Sequence, residues 1–119
     1  MLDQAQEKII ERYKHPHFSA PLENPDLSME GANPVCGDEI HLSLKMKDGR
    51  VEAASHSCQA CTVASAAADL LAEEIIGKNR EEILRISPDD IKEMLNIPLS
   101  PIRLKCALLP LETLKTGLG

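Results

Sequence analysis

The sequence predicts an α+β fold, a small antiparallel sheet with helices packed on one face. Three observations predict it. Residues 39–46 alternate polar and apolar side chains, Asp48-Gly49 follows as a hairpin signal, and after Cys61 the apolar residues switch to helical spacing. Strands thus come early and helices late, in a chain of 119 residues that reads as a single domain, 1–119.

Each element has its own signal. Leu2, Ala5, Ile9, Ile10 and Tyr13 form a helical stripe, Asp3 is a suitable cap, and His15-Pro16-His17 stops the helix. Residues 18–33, with Pro21, Pro25 and Gly31, read as an extended or looped lead-in. The strand at 39–46 turns at Asp48-Gly49, and 51–57 offers the returning strand. Val63, Ala67, Leu70, Leu71 and Ile75 then mark a helix that Gly77 closes. Its small residues from Ala64 to Ala68 let its backbone approach a neighbour closely. A short helix is expected over 80–84. Ser87-Pro88-Asp89-Asp90 opens another, with a cap, Pro at the first position and acids in the first turn, running to about Leu95. Leu104, Leu108, Leu111 and Leu118 line the last helix, which begins near Pro101 with a kink at Pro110, or begins close to Cys106.

Composition narrows the function. A net charge of −6 argues against a nucleic-acid or anionic-membrane surface. Tyr13 and Phe18 are the only aromatic residues, too few to stack on bases. No apolar run reaches the roughly 18 residues that span a bilayer, and the polar, acidic start is unlike a signal peptide. The expectation is a cytoplasmic protein, whose four cysteines read as metal-binding or reactive thiols rather than disulfides.

Those cysteines, Cys36, Cys58, Cys61 and Cys106, carry the chemistry. Asn33-Pro34-Val35-Cys36-Gly37-Asp38 puts a thiol and a carboxylate two residues apart on a bend, and Gly37 allows a backbone conformation in which both face one ion. Cys58-Gln59-Ala60-Cys61 is a CxxC, a weak signal alone. A zinc ribbon needs two close pairs, and a redox dithiol needs a βαβ context, so neither accounts for Cys36 and Cys106. The positions instead suggest three converging segments: the turn with Cys36, the strand-to-helix junction with Cys58 or Cys61, and the last helix with Cys106. Helix N-termini favour thiolate, and Asp38 adds a harder oxygen ligand. Such a mixed set suits a site that releases its metal.

These residues also carry a resemblance. Residues 33–38 resemble the NPxCGD motif of the IscU/SufU/NifU N-terminal-type iron–sulfur cluster assembly scaffolds. Ser57-Cys58 with Ala64-Ser65 is similar to that family's second cysteine motif, and the stretch from Leu99 to Cys106 to its third. Tyr13-Lys14-His15-Pro16 is similar to its Tyr-x-Asn-Pro, so the resemblance spans nearly the whole chain.

The resemblance implies an IscU/SufU-like sandwich and a binding and transfer protein rather than a turnover enzyme. It implies Cys36, Asp38, Cys58 and Cys106 as metal ligands and the three thiols as persulfide acceptors, with Asp38 keeping the site labile. Cys61, Lys105 and His56 are auxiliary candidates. The cargo would be a transient [2Fe-2S] cluster built from iron and from sulfur delivered by a cysteine desulfurase, then passed to acceptor apo-proteins. A homodimer is compatible with this reading. The alternative is a zinc-bound SufU-type sulfur acceptor that stimulates the desulfurase. Lys105 stands where IscU proteins usually carry His, as in SufU, yet the chain lacks the SufU insertion. Cys58 lies one residue too far from Ala64-Ser65 for the family pattern, so it shares the candidacy with Cys61. Ser100 replaces a proline of the chaperone-docking segment, which leaves chaperone docking doubtful.

Overall fold

The computed structural model describes residues 3–34 and 37–119. Helix α1 (Gln4–Lys14) is followed by three strands, β1 (Leu27–Asn33), β2 (Asp38–Lys47) and β3 (Arg50–Gln59). Helices α2 (Thr62–Ile75), α3 (Arg80–Leu84), α4 (Pro88–Leu95) and α5 (Pro101–Leu118) complete the chain. The strands form an antiparallel meander in the order β1-β2-β3. The α+β architecture expected from the sequence is the one observed.

Strand periodicity decides which side chains face the helices. Ile40, Leu42 and Leu44 of β2 are buried on one face, and Cys58, His56 and Ala54 of β3 stand opposite them in register. Asp38 shares the parity of Ile40, which turns a carboxylate toward the same face at the end of the sheet. A register shift at Lys45/Met46 precedes the hairpin. There Asp48 and Gly49 both have positive φ, the signature of a type I′ turn.

Helices α2 and α5 pack on each other and on this face, and α1 packs on α2. The alanines of α2 are mostly buried, and their size permits that approach. Helix α5 comes so close to β1 that a Cβ at Gly31 would overlap the Thr113 hydroxyl, and one at Gly117 would meet Met29. A larger residue at either place forces the facing side chain to shift.

Several ends were read correctly from the sequence. Asp3 caps α1 in a capping box with Gln6, and Ser87 caps α4 with Asp90. Gly77 takes a positive φ just beyond α2. Two regions differ. The lead-in at 18–33 contains a true strand, β1, whose alternation is faint because Met29 is its one buried residue. Helix α5 begins at Pro101, capped by Ser100, and continues through Pro110 to Leu118. Pro110 lacks the N–H that would reach the Cys106 carbonyl. Burial of Pro110 and its neighbours Leu109 and Leu111 outweighs that loss.

Candidate metal centre

Three elements bring one side chain each to a common point. Asp38 opens β2, Cys61 caps α2, and Cys106 lies in the second turn of α5. Their ligand atoms, one carboxylate oxygen and two sulfurs, all lie within 4.8 Å of one another. Asp38 and Cys106 are buried, at 5% and 2% exposure, and Cys61 is half-buried.

Local structure explains the convergence. The Cys61 main-chain N–H donates to Asp38 Oδ1 at 3.2 Å, which pins the carboxylate to the start of α2. Cys61 has extended backbone at the cap, and its Sγ accepts from the Ala64 N–H at 3.4 Å. A sulfur at that position faces the positive end of the helix dipole. Gly37, with φ of 74°, lets the turn before β2 close, its N–H donating to the Asn33 carbonyl at 2.8 Å. Cys36 lies outside the described residues.

A carboxylate and two sulfurs gathered at one mostly buried point offer three donors to a cation, whose charge would offset that of the carboxylate. Two sulfurs and one oxygen suit iron or zinc and leave room for a further ligand. The donor set therefore fits a transition metal or an iron–sulfur cluster.

Among the described residues Cys58 lies outside that group of three, while the Asp38 charge still acts on its thiol. It shares a face of β3 with His56 two residues earlier, and its Sγ lies 3.5 Å from His56 Nδ1. Burial raises its thiol pKa, and the charges of Asp69 and Asp38 add to that, pushing it up to about 12. Of the auxiliary candidates, Cys61 joins the cluster. His56 is buried beside Cys58, and Lys105 is solvent-exposed next to Cys106.

One group escaped the sequence reading. Asp69 of α2 is fully buried and accepts four hydrogen bonds. Arg12 reaches Oδ2 at 2.8 Å, His56 Nε2 lies 2.8 Å from Oδ1, and the His17 and Phe18 N–H groups complete the set. Burial works to raise its pKa, but the bonds from His56, His17, Arg12 and Phe18 outweigh it and hold the carboxylate below its usual range. The available signal was one carboxylate inside an otherwise small and apolar run, 63–72.

The profile of the NifU-like N terminal domain matches residues 4–119. The chain is similar to the iron–sulfur cluster assembly scaffold protein IscU of Thermotoga maritima, at 33% identity over 94% of this chain and 90% of that protein. It is similar to the zinc-dependent sulfurtransferase SufU of Bacillus subtilis, at 28% identity over 93% of this chain and 86% of the relative. Among solved structures it resembles a protein described as a cluster assembly scaffold for the SUF system of Fervidobacterium islandicum AW-1. That match has a TM-score of 0.83 at 25% identity, over 95% of both chains. Motifs, fold and profile agree: the chain belongs to the NifU-like N-terminal domain family of iron–sulfur cluster assembly scaffolds.

Proposed function

We propose that this protein accepts iron and sulfur, assembles a labile [2Fe-2S] cluster and passes it to acceptor apo-proteins. The observation that carries this reading is the convergence of Asp38, Cys61 and Cys106 within 4.8 Å. By its motif, Cys36 is the further thiolate ligand. The geometry supports Cys61 rather than Cys58 as the ligand from the CxxC. The cluster is cargo. Thiolates hold its iron, and the Asp38 carboxylate, a harder and weaker donor to that iron, makes release feasible. A cysteine desulfurase is the sulfur source, and the protein works in the cytoplasm. No helix among the described residues is long and apolar enough to cross a membrane.

A second reading is a zinc-bound sulfur acceptor that stimulates the desulfurase. Lys105 before Cys106 favours it, as does the name of the Bacillus subtilis relative. The same donors suit zinc.

Anaerobic reconstitution with ferrous iron, cysteine and a desulfurase separates the two. A [2Fe-2S] visible spectrum with matching iron and sulfide content, lost on adding apo-ferredoxin, is the expected result. Tightly held zinc with faster desulfurase turnover and no cluster would support the second reading instead.

A further inference from the structure

Residues 3–18 are fastened to the rest of the chain at few points. In α1 only Ile9 and Arg12 are buried, and the helix packs chiefly on α2. Phe18 adds a partly buried side chain against the core. The hydrogen bonds that leave this segment converge on one carboxylate and two of its neighbours. Arg12 and the His17 and Phe18 N–H groups donate to Asp69, and Arg12 also donates to Glu73. The Phe18 carbonyl accepts from the His56 N–H at 2.9 Å. Helix α5, by contrast, packs on α2, β1 and β2 and buries side chains from Cys106 to Leu118.

A loose stretch follows. Residues 19–25 are exposed apart from half-buried Leu22, and among the described residues none of them is hydrogen-bonded to the rest of the chain. The chain is pinned again at Asp26, whose N–H donates to the Leu44 carbonyl and whose Oδ2 accepts from the Met46 N–H. The pairing of β1 with β2 therefore does not depend on the segment before Ser19.

We propose that residues 3–18 form a strap that undocks as one unit on the 19–25 tether, while the sheet and helices α2–α5 stay folded. The strap supplies Arg12, Tyr13 and Pro16 to one wall of a cavity of about 290 Å³, whose other wall includes His56, Ser57, Cys58 and Ser65. Undocking removes the first wall and uncovers the end of β3. The device is a gate built into the fold, and it holds none of the proposed metal donors.

Shared anchoring makes the release concerted. A partial release would leave the buried Asp69 carboxylate short of donors, whereas full release lets water reach it. Once detached, an 11-residue helix is too short to persist in water, so α1 melts as it leaves. Few buried apolar contacts beside an unbonded tether are the features of a segment that opens below the free energy of global unfolding.

Native-state hydrogen exchange, followed by NMR on the full-length protein in sub-denaturing urea, tests the strap. The inner amides of α1 and those of His17, Phe18 and His56 are expected to share one opening. That opening should be at least roughly tenfold more frequent than the one that frees the Leu114 amide of α5, with a weaker urea dependence. Ile9→Ala is expected to speed the shared exchange by about thirtyfold or more, the scale of a truncated buried isoleucine. Should Ile9→Ala fail to fold, the wild-type pattern decides. Equal opening frequency and urea dependence for the strap and α5 overturns the proposal, because α1 then belongs to the global unit. Fast exchange confined to α1, with His17, Phe18 and His56 as protected as Leu114, overturns it too, since that is fraying of one helix. Unchanged His17, Phe18 and His56 exchange in folded Ile9→Ala overturns the coupling of α1 to the rest of the strap.

Discussion

The Cys61 main-chain N–H donates to the Asp38 carboxylate at 3.2 Å, so the first residue of β2 and the cap of α2 share one anchor. That bond brings a hard oxygen donor and a soft sulfur donor to the same point, and it makes their separate roles testable.

Replacing Asp38 by Ala removes the oxygen donor and leaves the thiols. The reconstituted cluster of Asp38→Ala is expected to persist longer and to reach apo-ferredoxin roughly tenfold more slowly, equivalent to about 1.4 kcal/mol. The decay of visible absorption after mixing measures this. Faster loss than in the wild type would show that Asp38 mainly retains the cluster.

Arg12 and Asp69 form a buried ion pair that ties α1 to α2. Arg12→Met leaves the Asp69 carboxylate without its charged partner, which costs about 3–5 kcal/mol. Urea unfolding at neutral pH measures the loss, and a change below about 1 kcal/mol would contradict the pairing.

The same carboxylate sets an acid limit. Asp69 is held below its ordinary value of 3.8, so its contribution is fully present above that pH and disappears as pH falls through the folded-state value. Thermal melts between about pH 5 and 2 should show a steeper loss in the wild type than in Arg12→Met.

At the alkaline end the sign reverses. The Cys58 thiol is raised from 9.0 to about 12, so the unfolded chain releases its proton first. Stability contributed by the buried thiol is intact below pH 9.0 and declines as pH rises toward about 12. Cys58→Ser should flatten that decline in melts collected from pH 8.5 upward, and an unchanged slope would count against it.

Helix α5 carries Cys106, and Gly31 sets how closely it lies on β1. Gly31→Ala forces Cβ into the Thr113 hydroxyl, at a cost of about 1–3 kcal/mol. Thr113→Ala in the same chain should recover part of that loss and part of any lost metal binding. No recovery would place the cause in the strand itself.

Much of this was legible because local chemistry and periodicity agree. The Asp48-Gly49 hairpin, the Ser87-Pro88 cap and the alternation of β2 depend on near neighbours in sequence. The choice between Cys58 and Cys61 depends on where β3 ends. Pairing continues to Gln59, so Cys58 stays in the sheet opposite Ile40 while Cys61 falls on the helix cap. Three residues of CxxC spacing could not reveal that boundary. Arg12 and Asp69 were hidden for another reason: periodicity treats charged residues as solvent-facing, and their burial exists only because each finds its partner 57 positions away.

The central claim is the proposed assignment of the metal to Asp38, Cys61 and Cys106, with Cys58 outside that set. Anaerobic cobalt(II) titration tests it most directly, because sulfur-to-cobalt charge-transfer absorption grows with the number of thiolates bound. Cys61→Ala is expected to lose a share of that absorption and bind cobalt more weakly, with Cys58→Ala matching the wild type. Loss in Cys58→Ala with Cys61→Ala unchanged would contradict the account.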